Sequence, residues 1–219
     1  MNRVKTVIIF LLLFPAVISG QPVKKFNLEI FEEGISSGIE KFFYYPDVNR
    51  NFQFVFVVND EGSTGFKKNE VSRFLTSIIR KTAEKDNIRY SIAKDSPPGI
   101  SNDSVYYIVK ISDIKLKTSY PRFIKKKFLG DKTIERKING SVNIDMLSSD
   151  SKFSHSENIV LQYTDEIDFD TYESYETPEY DFTIAKPPKA NAFESFLFPA
   201  LLVTVSAVAT VLFFAIRSK

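Results

Sequence analysis

Residues 134–146 read Ile-Glu-Arg-Lys-Ile-Asn-Gly-Ser-Val-Asn-Ile-Asp-Met, and here Ile138, Val142, Ile144 and Met146 alternate with Asn139, Ser141, Asn143 and Asp145. Successive side chains of a strand point to opposite faces, so a period of two predicts a strand with one buried and one wet face. A sheet that is wet on one side is not the fully covered parallel kind. Upstream, Val105 to Lys117 also alternates, but its apolar phase moves from Val105, Tyr107, Val109 and Ile111 to Ile114 and Leu116. A bulge near Ser112-Asp113 accounts for the change of phase. Downstream, Asn158 to Tyr163 supplies material for a last strand.

Nearer the N-terminus the period changes. Leu28, Phe31, Ile35, Ile39 and Phe42 fall at helical spacing, which predicts a helix over 27–43 with Asn27 as its N-cap. Gly34 and Gly38 weaken such a helix by up to about 1 kcal/mol each unless something packs closely on them. Phe52 to Val58 is apolar on both faces, as in a central strand covered from both sides. After the turn-rich Asn59 to Gly65, Val71, Phe74, Leu75, Ile78 and Ile79 define an amphipathic helix. A short strand near Ile88 to Ala93 then precedes the breaker Ser96-Pro97-Pro98-Gly99.

The order α, β, α, β and then a meander predicts an α+β fold: a mixed, largely antiparallel sheet with two helices on one face, plus a C-terminal transmembrane helix. In element order alone it resembles the small α+β domains of envelope assembly and secretion accessory factors.

The ends of the chain set the expected location. Val7 to Ile18 follows Arg3 and Lys5 and runs into Pro15 and Ser19-Gly20, the layout of a secretory signal peptide over 1–20. Phe196 to Ile216 carries no charge and is long enough to cross a hydrocarbon core of roughly 30 Å. Arg217 and Lys219 follow it, and basic residues collect on the cytoplasmic side. The expected organisation is an extracytoplasmic domain at 21–164, an acidic tether at 165–194, a membrane span at 195–217 and a cytoplasmic end at 218–219. A bacterial inner membrane facing the periplasm is the expected host, with an envelope protein as partner.

With 43% hydrophobic and 14% aromatic residues the chain is able to bury a core. A net charge of +2 does not point to nucleic acid. The absence of cysteine excludes disulfides, thiolate catalysis and Cys-ligated zinc.

Two charged stretches are candidate contacts. Arg122, Lys125, Lys126, Lys127, Lys132, Arg136 and Lys137, interleaved with Phe123, Ile124, Phe128 and Leu129, form a candidate surface for an anionic partner on a hairpin. The bland alternative is a solvated hairpin whose lysines protect an edge. From Asp165 to Asp181 the chain is acidic, without a basic residue, and holds Tyr172, Tyr175 and Tyr180, followed by Phe182. These aromatics either dock on a partner or pack back on their own domain. The acidic run is also placed to lie along the basic hairpin. As a free tether of about 30 residues it would reach about 30 Å.

Catalytic equipment is sparse. His155 is the single histidine and lies in Ser154-His155-Ser156-Glu157 without a nucleophile-elbow pattern, so a surface position is expected. Asp165, Asp168 and Asp170 lack the turn glycine and terminal carboxylate of a calcium loop, and the adjacent Glu32 and Glu33 point apart on a helix. No enzyme activity, cofactor or metal is expected. The leading expectation is a membrane-anchored interaction domain; a tethered cell-wall hydrolase and a structural subunit of a membrane complex are the rivals.

Overall fold

A computed structural model describes residues 24–59, 69–93, 105–126, 131–189 and 192–217. In chain order the elements are helix α1 (Asn27–Phe43), strand β1 (Gln53–Val58), helix α2 (Glu70–Lys85), β2 (Tyr90–Ala93), β3 (Tyr106–Ser119), β4 (Phe123–Lys126), β5 (Lys132–Ser148), β6 (Ser154–Asp168) and helix α3 (Ala192–Arg217). Two short 3-10 turns, Tyr172–Tyr175 and Asp181–Thr183, lie between β6 and α3. The signal segment at 1–20 lies outside the described residues, as does most of the loop after β1.

The fold is α+β. One sheet of six strands runs β2-β1-β3-β5, with β6 on the far side of β5 and β4 beside the first residues of β5. β1 is parallel to both β2 and β3, and every other pairing is antiparallel. β1 lies between β2 and β3, and both its faces are buried, Phe54 and Phe56 on one and Val55 and Val57 on the other. In β3 the bulge falls where the phase changes: Ser112 faces Asn143 but Lys115 faces Ser141, so one extra residue is accommodated. Asp113 takes it up in a left-handed conformation, φ 50°, and its carboxylate accepts a hydrogen bond from the Asn143 amide at 2.8 Å.

One face of the sheet is covered. Phe31, Ile35, Ile39, Phe42 and Phe43 of α1 and Phe74, Leu75, Ile78 and Ile79 of α2 pack on Phe54, Phe56, Val109, Ile111, Ile138, Val142 and Ile144. Gly34 and Gly38 are explained by β6. A Cβ on Gly34 would stand 2.7 Å from the Leu161 side chain, and one on Gly38 would overlap Ile159. The two glycines therefore exchange helix propensity for a close seat on the strand. Asn27 is not the N-cap. That role falls to Phe26, whose N–H donates to the Glu29 carboxylate at 2.8 Å, while Asn27 turns inward and is buried.

Among the described residues nothing covers the other face of the sheet across β3, β5 and β6. Lys115, Lys117, Asn139, Asp145, Asn158, Gln162 and Thr164 are all exposed there. In α3, Pro199–Ile216 has a mean hydropathy of 2.3 and no buried residue, so this helix is long and apolar enough to cross a membrane.

Candidate functional site

Two places in the domain concentrate polar chemistry, and they lie on opposite faces of β5. On the covered face is Arg136, fully buried although its flanking residues Glu135 and Lys137 point the other way. Its Nε donates to Asp165 Oδ1 at 2.7 Å and its Nη2 to Asp165 Oδ2 at 2.6 Å, a bidentate pair across the β5–β6 ladder. Nη1 donates to the Lys25 carbonyl and to Asn27 Oδ1, both at 2.9 Å. The guanidinium is also flanked by the rings of Tyr175 at 5.1 Å and Tyr163 at 5.7 Å.

The inward Asn27 extends this network. Its Nδ2 donates to the Tyr120 hydroxyl at 3.1 Å and to the Thr183 carbonyl at 2.8 Å. Burial pushes the Tyr120 phenol well above its ordinary value. Burial likewise raises the Glu176 carboxyl, opposed by the hydrogen bonds it accepts from the Ala185 N–H, at 3.0 Å, and from Tyr120. The start of α1, the ends of β5 and β6 and the segment 169–185 are thus tied through one buried cation. An arginine spent in this way has no face left for an external anion.

The acidic run is accordingly not a free tether. Asp165 to Asp168 complete β6, and 169–185 form a strap against the domain. Phe169 and Tyr172 join Tyr120, Ile134 and Ile167 in a second core, with Tyr172 edge-on to Tyr120 at 5.3 Å. Tyr175 covers Arg136 and neighbours Phe26 at 6.3 Å, and Tyr180 packs on Phe74 at 5.6 Å. Phe182 enters the main core between Phe31 and Phe74, at 5.1 and 4.9 Å. Of the two expectations for these aromatics, the structure adopts packing on their own domain, because each ring finds an apolar or cationic partner there.

The basic constellation is likewise divided. Arg136 is inside, Arg122 donates to Glu135 at 2.9 Å, and Lys137 stands 3.6 Å from the same carboxylate. The Lys132 ammonium lies 6.0 Å above the Phe169 ring. Lys127 and the side chains of Lys125 and Lys126 lie outside the described residues. A single anion-binding cluster is therefore not assembled from the described members of this set.

The second place is on the uncovered face. Lys115, Leu116 and Lys117 of β3 lie opposite Ser141, Gly140 and Asn139 of β5, which lie opposite Val160, Leu161 and Gln162 of β6. With Ile114 these residues line an open hollow of about 530 Å³ around Gly140. Exposed Lys115, Lys117, Asn139 and Gln162 supply donors around a mostly apolar floor, and Val160 is 61% exposed. None of the described lining residues is acidic or a histidine. The alternation of β5 announced a wet face but not the hollow, because its lining comes from three strands that only the register brings side by side. Gly140 is no signal of it, because its missing side chain would point to the covered face, toward Leu116 and Leu161.

His155 sits on the covered side of β6, half-buried between Tyr45 at 4.1 Å and Phe42 at 5.4 Å rather than in a surface turn. Its Nε2 is 3.8 Å from Glu157, which also faces Lys41 at 3.9 Å. Glu32 pairs with Lys81 at 3.0 Å and Glu33 with Lys25 at 2.5 Å, so the two carboxylates diverge. Among the described residues no group of three or more potential metal ligands converges.

No family model and no curated protein matches the chain. Among solved structures it is similar to a neuraminyllactose-binding hemagglutinin homologue from Helicobacter pylori, at 11% identity and a TM-score of 0.31, covering 58% of this chain and 74% of that one. It is also similar to rare lipoprotein B from Shewanella oneidensis, at 13% identity and a TM-score of 0.29, covering 72% of this chain and 86% of that one.

Proposed function

We propose that this chain is a membrane-anchored interaction domain that faces away from the cytoplasm, binds another envelope component and keeps it near the bilayer, as an assembly, secretion or scaffold accessory factor. The observation that carries the reading is the short connection between domain and span. Ala185 is still tied to Glu176, and α3 begins at Ala192. The chain from 185 to 192 reaches about 25 Å at most when fully extended. A domain held so close meets membrane-borne partners at high effective concentration, so modest intrinsic affinity suffices. The uncovered face, with its lysine-flanked hollow, is the contact surface. Basic Arg217 and Lys219 set the orientation, with the bacterial inner membrane as host.

The test is a photo-crosslinking residue at Lys117 in the full-length chain, in native membranes. It should yield one defined adduct with a different protein. Exchanging residues 199–216 for a soluble linker should lower its yield about tenfold. No adduct, or only chain-to-chain adducts, at Lys117 overturns the reading.

A further inference from the structure

We infer that the outer edge of β6 is a strand-pairing site for a second copy of this chain, joined antiparallel about a two-fold axis at Leu161. The hydrogen-bond parity of the β5–β6 ladder decides which groups of β6 face outward. The Ser148 N–H donates to the Phe153 carbonyl at 2.9 Å, and the Phe169 N–H donates to the Lys132 carbonyl at 2.8 Å. These two bonds frame an unbroken register from Leu147–Ser154 to Thr133–Asp168. In an antiparallel pair, bonded and non-bonded positions alternate. The odd-numbered residues of β6 therefore bond to β5, and the even-numbered ones, from Ser154 to Glu166, turn N–H and C=O outward. Among the described residues no strand pairs with that edge.

Exposed edges are usually blunted by shortness, lysine, proline or bulges. The other two edges follow this rule: β2 has four residues, and β4 has four and contains Lys125 and Lys126. β6 has 15 residues, holds no Lys, Arg or Pro, and carries no bulge. Its acids, Glu157, Asp165, Glu166 and Asp168, stand outside the seven central residues 158–164, so that stretch of edge is without protection and is a template for another strand.

The distribution of charge along β6 selects the occupant. The run Asn158 to Thr164 is uncharged and centred on Leu161, which is also the centre of the strand. Antiparallel pairing with itself sets Val160 against Gln162 and Asn158 against Thr164. The exposed acids Glu166 and Asp168 then meet Ser156 and Ser154 of the other copy, whereas parallel self-pairing would stack acid on acid. Glu157 and Asp165 come opposite one another on the covered face, each already with its own cation, Lys41 and Arg136. Space is available for the helices. Since α1 lies over both β5 and β6, two strand spacings would separate the two α1 helices, about 10 Å, which is an ordinary helix–helix distance.

The chain has no cysteine, so single cysteines report cleanly. Full-length Val160→Cys and Gln162→Cys chains, mixed in membranes and oxidised, should form a disulfide dimer at least about fivefold more efficiently than either alone. Their Cα atoms would oppose at about 5.5 Å, while like positions would stand about 7 Å apart or more. Val160→Pro removes an outward N–H without costing the β5 ladder a bond, and should lower the dimer fraction at least tenfold with the circular dichroism of the folded chain unchanged. Val160→Lys should do the same and decides the matter if the proline variant does not fold. A wild-type chain that is monomeric in bilayers overturns the inference. So does a dimer that survives Val160→Lys, which would place the contact elsewhere, α3 included, and so does equal crosslinking in all three cysteine samples. These readouts count only self-adducts and so stand or fall apart from capture at Lys117.

Discussion

The two faces of β5 are made from alternate residues of one strand, yet one is a sealed core and the other a solvated lattice. On the covered face Ile134, Ile138, Val142, Ile144 and Met146 are all buried, and Arg136 with them. On the uncovered face Ser141 donates to Asn158 at 3.1 Å, Asn143 to Asp113 at 2.8 Å, and Ser156 of β6 to Asp145. Side-chain alternation decides which face a residue joins but not what that face must then recruit. A guanidinium that alternation sends inward must find a carboxylate, carbonyls and a lid, because an unpaired buried charge costs several kcal/mol. Here the lid is the strap at 169–185, which the uncovered face does without.

The largest test of this asymmetry is Arg136→Ala. It leaves Asp165 without its partner and should cost about 3–5 kcal/mol in thermal or denaturant unfolding, with faster proteolysis within 169–185. The double variant Arg136→Met/Asp165→Leu should recover most of the loss, since a buried pair exchanged for apolar groups is often neutral. A single variant that costs under about 1 kcal/mol would break the comparison.

Next is Gly38→Ala, which sharpens the account of α1 on β6. Its methyl group would overlap Ile159, an overpacking cost of about 1–3 kcal/mol against a helix-propensity gain of up to about 1 kcal/mol. A net loss in melting temperature is expected, and a gain would show that β6 yields freely at Ile159.

A smaller effect comes from Glu176, whose carboxyl is raised by burial. A folded-state value above the unfolded one means the native state holds the proton more tightly. Stability should therefore be highest below the ordinary carboxyl value near 4.5 and should decline as pH rises through the raised one. Glu176→Gln keeps an acceptor for the Ala185 N–H and should stabilise the domain slightly at pH 7 and not at pH 4. Equal effects at both pH values would separate the strap from proton binding. The smallest effect is on the uncovered face, where Lys117→Ser should stay within about 0.5 kcal/mol by the same unfolding measurement.

Much of the fold was legible because its signals are local. The spacing of Phe74, Leu75, Ile78 and Ile79 marked α2, the two-sided apolar run placed β1 centrally, and the phase change after Ile111 located the bulge. The site was less legible. Arg136 reads as one of a basic series along 122–137, and nothing in that series distinguishes it. Its partners Asp165, Asn27 and Lys25 are distant in sequence, and only the register Arg136–Asp165 brings the first of them within reach. The acidic run suggested a tether because its charges dominate its composition. Its aromatics, each with a separate partner in the domain, decided its placement.

By itself the sequence determined the alternation of β5, the two amphipathic helices and the apolar span of α3, since periodicity and length express covalent geometry and the hydrophobic effect within a few residues. Only the tertiary structure decided that Arg136 is buried, that 169–185 is a strap, that a hollow opens around Gly140 and that β6 is an edge of the sheet among the described residues. Each of these depends on which distant segment lies alongside. That is set by cross-strand register and by the demand that every buried charge be paired, neither of which is written in any single stretch of chain.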